Sequence, residues 1–446
     1  MSTHVPVEAS LRGELSRAWQ LAWPVSLGML GLTGMSTVDT LMVGRLGAET
    51  MAAVALGSSW FFGLNVVGMG ALRALDPVLG QAFGARDEPG LARGMVQGFA
   101  MAGLLVVPLV VLQLLAEPGL RLLGQPEHLL PVAATWCQVA AAGVPGWLLF
   151  SAARQCLQAV GVVRPATVAI LLANLLNILL DWVLIFALGL GPLGAAIATT
   201  IGQYALFGFT LWLGWDVLGP RLRAWKDGLK LRPLLGLLAL GVPLGAQMAA
   251  EAWAFHLAGL MMGWLGELEI AANAVVLNLA TLSFMLPFGV STAAATRVGN
   301  LVGAELPWVP AARASLLLGA GVMAGSALAF SLVPQTLARI YTDDPSVIVL
   351  VASLLPIAAA FQLFDGIQVV AFGVLRGAGD LRLPSIANLV GYWVLGLPLG
   401  GWLAFRAGWG AHGLLTGLAI GVTAVAALLL ARVAWRAARG AIRVTT

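Results

Sequence analysis

Along most of this chain, apolar residues follow one another without the spacing of a half-exposed helix or the alternation of a half-exposed strand, and charge arrives only in short clusters. Segments that are apolar all round belong to helices in an apolar medium. A bilayer core takes about 20 such residues per helix. Punctuation by Gly, Pro and charge divides the sequence into twelve segments of that kind. They are expected near 18–45, 50–76, 91–116, 131–160, 164–188, 191–215, 234–263, 268–296, 311–333, 346–378, 384–406 and 409–434. The fold class that follows is an all-α integral membrane protein with twelve transmembrane helices.

The pattern occurs twice. Within the apolar stretch Pro24–Gly57, MVGRLGAETMAAV at Met42–Val54 returns as MMGWLGELEIAANAV at Met261–Val275, and Pro24 returns as Pro243, both at an offset of 219. GQAFGA at Gly80–Ala85 matches GNLVGA at Gly299–Ala304 at the same offset, and LQAVGVVRP at Leu157–Pro165 answers LRGAGDLRLP at Leu375–Pro384 with one residue inserted. The most charged connection, Asp216–Pro233, lies between the sixth and seventh spans. The expected organisation is an N-terminal segment 1–17, a first six-helix bundle 18–215, a linker 216–233, a second bundle 234–436 and a tail 437–446. Six is even, so the halves run in the same sense and are parallel repeats. Half-chain repeats of long apolar helices are a mark of secondary transporters, in which the halves rock about a central site.

Composition agrees with a membrane solvent. Hydrophobic residues make up 60% of the chain and charged ones 10%, against about 25% charged in soluble proteins. The segment up to Arg17 is polar and precedes a full-length span, so no cleavable signal peptide is expected. Of the 24 Lys and Arg, Arg45, Arg121, Arg339 and Arg406 fall on one side. Arg73 sits inside a span, and the other nineteen fall on the opposite side. By the positive-inside rule both termini and the linker are cytoplasmic, in a multi-pass protein of the cell inner membrane. The isoelectric point of about 9.6 does not point to nucleic acid, because the basic residues are spread over short loops. Cys137 and Cys156 fall within one span, roughly 28 Å apart along a helix, too far for a disulfide.

An ionisable group at mid-bilayer costs about 2.5 to 3.5 kcal/mol even on a lenient scale, so each needs a reason. Arg73 and Asp76, three apart near the end of the second span, can pair or snorkel. Asn174, Asn177 and Asp181 recur at intervals of three and four and share one helical face. At 1.5 Å per residue, Asp39 lies roughly 9 Å inside its outer end, and Asp181 and Thr199 roughly 12 Å inside theirs. Two carboxylates with an amide and a hydroxyl at one depth can bind a small hard cation such as Na⁺ through oxygen, or share a proton. They can also simply lock helices together. In the second half, Glu251 and Asp365 each lie roughly 18 Å from an end of a long helix, near the midplane, where lone carboxylates suit a cationic ligand or a proton. His256 reads as a packed or interfacial histidine. The histidines are scattered, and there is no HExxH, CxxC or P-loop, so neither an enzyme nor an ATP-driven pump is indicated.

With these residues in view, the chain resembles the multidrug and toxic compound extrusion (MATE) family, in its NorM-like branch. The likeness runs from Ala18 to Arg436, most specifically in VDTLMVGRLGAETMAAVALG, in ALDPVLGQAFGA, in the Pro243 to Glu251 spacing and in FQLFDGIQVVAFGVLRGAGD. The resemblance implies a V-shaped pair of six-helix bundles that exports organic cations in exchange for Na⁺ or H⁺, with no cofactor and no obligate protein partner beyond membrane lipid. It places Asp39, Asn177, Asp181 and Thr199 at a coupling-ion site in the first bundle. Glu251 and Asp365 fall at a substrate or cation site in the second, with Phe361 where some relatives carry a tyrosine. The nearest alternative is a lipid-linked precursor flippase of related architecture. Its cavity is expected to be basic, whereas the carboxylates here make an acidic one.

Overall fold

Long apolar runs become long helices because, in lipid, every backbone group must find its partner within its own segment. The computed structural model describes residues 10–223 and 228–444, and among them every regular element is helical. The outer parts of the expected N-terminal segment and tail, and the middle of the linker with Lys226, therefore lie outside the described residues, as does His4.

In the first half the elements are α1 (Leu11–Gly44), α2 (Ala48–Leu72), α3 (Leu75–Gly84), α4 (Glu88–Leu114), α5 (Ala116–Leu122), α6 (Leu130–Ala141), α7 (Val144–Ala159), α8 (Arg164–Asp181), α9 (Pro192–Leu213) and α10 (Trp215–Leu222). The second half supplies α11 (Leu231–Gly263), α12 (Glu267–Gly303), α13 (Val309–Leu332), α14 (Pro334–Arg339), α15 (Pro345–Gly377), α16 (Arg382–Val390), α17 (Leu397–Phe405) and α18 (Gly410–Arg439). One π-helical turn, Trp182–Ala187, follows α8, and another, Gly391–Gly396, joins α16 to α17. Among the described residues, eleven helical stretches are long and apolar enough to cross a membrane, and α6 with α7, bent by 51°, makes a twelfth. The chain is a multi-pass membrane protein. Two spans run further than the sequence pattern indicates, since Ala48–Gly84 and Glu267–Gly303 each hold 37 residues.

The repeat is written into the backbone as well as the sequence. Positive φ angles occur at Gly47 and Gly266, at Arg86 and Glu305, at Gly189 and Gly408, and at Gly191 and Gly410, and every one of these pairs keeps the offset that relates the sequence motifs. Arg86 and Glu305 are not glycines, yet both halves hold this left-handed turn, at φ 58° and 59°. Each ends a helix, closed by backbone bonds from Arg86 to Phe83 and Asp87 to Ala82, and from Glu305 to Val302 and Leu306 to Leu301, the motif that places a left-handed residue just past the last helical turn.

By its contacts the chain forms two compact units: one gathers the chain up to Ser26 with Ala250–Val444, and the other holds Leu27–Ala249. The divisions fall inside α1 and α11, so each unit includes the beginning of a helix whose remainder belongs to the other. In the first of these units Glu14 on α1 accepts two hydrogen bonds from the Arg297 guanidinium on α12, at 3.0 and 2.6 Å. Ser26 donates to the Leu286 carbonyl at 3.1 Å. In the other unit the start of α11 lies so close to α2 that a Cβ added at Gly245 would collide with the Val67 carbonyl oxygen. Gln97 reaches the same stretch, donating to the Lys230 carbonyl at 3.1 Å.

Candidate functional site

In the unit Leu27–Ala249, α1 and α8 approach closely because Gly31 has no side chain; a Cβ there would meet Ile170 at 2.8 Å and the Asn174 amide at 3.3 Å. Asn174 fastens the contact, donating from Nδ2 to the Gly31 carbonyl at 3.0 Å. One and two turns further along α8 come Asn177 and Asp181, both fully buried. Asp181 is the last α-helical residue before the π turn. Among the described residues, the groups acting on Asp39 are Asp181, Asn177 and Thr199, none of them a cation. Asp39, Asp181 and Thr199, which share a depth by counting along three separate helices, thus meet in one place with Asn177. Thr199 spends its hydroxyl proton on the Ala195 carbonyl at 3.0 Å, which leaves its oxygen lone pairs available. Both oxygens of Asp181, the side-chain oxygen and nitrogen of Asn177, and Oδ1 of Asp39 are buried, and the Asp39 and Asp181 carboxylates lie within hydrogen-bonding reach of each other. Buried polar groups are otherwise almost always satisfied, and oxygens gathered in this way can take a shared proton or a small hard cation.

Elsewhere in the same unit Asp76 is buried, accepts from Gln155 Nε2 at 2.9 Å and acts on the Arg154 guanidinium. The structural reading of that carboxylate therefore has named partners. Cys137 and Cys156 are both free and buried.

In the other unit, Glu251 enters on α11, and Asp365, 5% exposed, lies on α15. Glu251 acts on Asp365 across the site, and so does the Tyr392 hydroxyl. His256, on the same helix as Glu251, is exposed. Three residues that sequence reasoning does not single out complete the arrangement. Asn388 Nδ2 donates to Glu251 Oε2 at 3.3 Å. Gln368 Nε2 donates to Asn388 Oδ1 at 3.3 Å and to the Tyr392 hydroxyl oxygen at 3.5 Å. Gln368 stands three residues after Asp365 and so on its face, a signal the sequence does carry. Tyr392 lies at the start of the π turn Gly391–Gly396 and stands four residues after Asn388, on the same helical face. The Trp393 indole holds the turn in place by donating to the Ala250 carbonyl at 3.0 Å. Phe361 lines the aromatic side, edge-on to Phe255 at 6.0 Å, and Phe255 in turn meets Tyr392 at 5.5 Å. The result is two carboxylates with an amide pair and a phenol on one side and aromatic rings on the other.

A family model for MatE matches residues 24–183 and, a second time, residues 243–402. The chain belongs to the MatE family. The second MatE match begins and ends at the same offset from the first that relates the sequence motifs and the left-handed turns. The first match contains Asp39, Asn177 and Asp181, and the second contains Glu251, Phe361, Asp365, Gln368, Asn388 and Tyr392. Among MatE relatives, multidrug resistance protein NorM of Burkholderia vietnamiensis is 36% identical over 437 residues, covering 94% of this chain and 92% of that protein. Multidrug resistance protein PmpM of Pseudomonas aeruginosa is 34% identical, covering 97% and 94%. The fold is shared with the eukaryotic MATE transporter AtDTX14, at a TM-score of 0.87 and 23% identity over 96% of this chain and 98% of that one. It is shared equally with the Vibrio cholerae MATE transporter VcmN, at 0.87 and 21% over the same shares of each chain.

Proposed function

We propose that this MATE-family transporter exports organic cations and drugs by alternating access, in exchange for an inward-moving cation that binds at Asp39 and Asp181. The observation that carries the proposal is the facing pair of buried carboxylates without a basic neighbour among the described residues. Two such groups cannot both stay ionised out of water unless a cation joins them. Na⁺ is the ion the ligand set favours. A dehydrated cation needs several oxygens, and Asn177 and Thr199 supply two that a shared proton does not require. Cation entry down a potential contributes about 2.3 kcal/mol per charge per 100 mV, plus its concentration gradient. To do work it must bind one arrangement of the transporter more tightly than the other.

On this proposal the organic cation binds at Glu251 and Asp365. Their two negative charges attract an organic cation, and Phe255, Phe361 and Tyr392 offer ring faces to its apolar part. A flippase of lipid-linked diphosphates would need cations at this position, whereas the groups acting on Asp365 are a carboxylate and a phenol. The location that goes with this function is the inner membrane, with both termini in the cytoplasm. Labelling of a cysteine at Arg223 from outside intact cells would overturn that placement.

The decisive measurement is dye efflux from proteoliposomes under Na⁺ and H⁺ gradients imposed separately. Export driven by Na⁺ at fixed pH is expected. Export that ignores Na⁺ and stops when the pH gradient collapses would transfer the site to a proton, and export driven by neither would remove the antiport proposal.

A further inference from the structure

The last helix, α18, holds 30 residues, about 45 Å at 1.5 Å per residue, whereas a bilayer core is about 30 Å thick. Its end therefore stands at the level of the headgroups. Trp409, just before the helix, and Trp435, near its end, are both exposed and lie roughly 39 Å apart along the axis. That spacing puts an indole in each interfacial belt.

Around Trp435 the side chains are arranged in a specific way. The guanidiniums of Arg432, Arg436 and Arg439 lie 4.2, 4.8 and 4.7 Å from its ring centre. The spacing three before, one after and four after gathers all three about the indole. A single carboxylate serves two of them: Nε of Arg432 and Nε of Arg436 both donate to Oδ2 of Asp380, at 2.7 and 2.6 Å. Arg439 has no carboxylate partner among the described residues, and the terminal nitrogens of Arg432 and Arg436 make no hydrogen bond there. Basic residues in a last helical turn offset the helix dipole, which accounts for one such residue. It does not account for three on one ring, which repel one another and leave two positive charges uncompensated.

We propose that this cluster is a binding site for the phosphodiester headgroup of an anionic phospholipid, with Arg439 and the free edges of Arg432 and Arg436 as donors and Trp435 as the platform that aligns them. Guanidinium edges match phosphate oxygens in pairs, and the site stands where lipid phosphates are. Asp380 holds two of the arginines in position, so the cluster is organised before lipid arrives.

The test is native mass spectrometry of delipidated protein in neutral detergent, titrated with phosphatidylglycerol or phosphatidylcholine of the same chains. Arg439→Gln removes an exposed, unpaired cation and leaves the Asp380 contacts intact; its unfolding midpoint without lipid should equal that of the unsubstituted protein. The unsubstituted protein should retain phosphatidylglycerol in preference to phosphatidylcholine, and Arg439→Gln should retain it about fivefold more weakly, the weight of one basic residue at an anionic surface. Trp435→Leu should weaken retention as well. Equal retention of the two lipids, or equal retention of phosphatidylglycerol by the protein and by Arg439→Gln, would overturn the proposal. Displacement of the lipid by inorganic phosphate at the same concentration would overturn it too, by making this a site for free phosphate.

Discussion

Replacing Glu14 with Gln tests what holds the start of α1. The Glu14 and Arg297 side chains are 4% and 6% exposed and meet at 2.6 Å, with a second hydrogen bond at 3.0 Å. At an effective dielectric near 20, opposite charges 4 Å apart attract by about 4 kcal/mol, and the desolvation of both ions offsets much of that. Removing one partner forfeits the attraction but leaves the other ion buried, so the cost is about 3–5 kcal/mol. Glutamine keeps the shape and one acceptor oxygen, which puts Glu14→Gln near 3 kcal/mol, about the lower end of that range. The double variant Glu14→Leu with Arg297→Met buries no charge and should recover most of the loss. Unfolding by SDS in mixed micelles, followed by tryptophan fluorescence, gives these differences. Because the pair is buried, raising the salt concentration should leave the penalty unchanged. A Glu14→Gln protein within about 0.5 kcal/mol of the unsubstituted one, the range of ordinary surface changes, would refute the argument.

Three further outcomes are expected. Glu251→Gln and Asp365→Asn should each impair dye efflux at normal expression, with cationic dyes affected most; normal rates in both would leave that site structural. Asn177→Ala and Thr199→Ala should raise the Na⁺ concentration that gives half-maximal export, a shift read directly in proteoliposomes, whereas Asp39→Asn should abolish coupled export. Gly245→Ala should destabilise the unit Leu27–Ala249 by about 1–3 kcal/mol, because its Cβ would run into the backbone of α2 at Val67. An unchanged unfolding midpoint would mean that the two helices can part at no cost.

The spans, the repeat and the four residues of the Asp39 site are legible in the sequence because each depends on counting along a regular helix. Asp39, Asp181 and Thr199 come to one depth when residues are multiplied by a constant rise, and the structure brings them together with Asn177. Counting fails where the helix is irregular. The break between Ala141 and Val144 falls in one apolar run, and its marks, Gly143 and Pro145 at the start of α7, do not set it apart from α15, which is unbroken over 33 residues although it contains Pro356. Asn388 and Tyr392 escape because they are a single amide and a single phenol whose partners, Glu251 and Gln368, lie on helices earlier in the chain. The exchange of helix beginnings between units at Ser26 and Ala249 has no local signature either, since it depends on contacts between segments remote in sequence.

That exchange has a consequence for biosynthesis. The partner of Glu14 is encoded 283 residues later, and that of Ser26 is 260 residues later. At about 5–20 residues per second, the first turns of α1 wait roughly a quarter of a minute to a minute before α12 exists to receive them. During that interval a carboxylate destined for burial must stay in water or find a temporary companion. A ribosome that pauses before Arg297 prolongs the exposure, and a chain truncated ahead of α12 lacks both the Arg297 guanidinium and the Leu286 carbonyl that the beginning of its first helix meets in the complete protein.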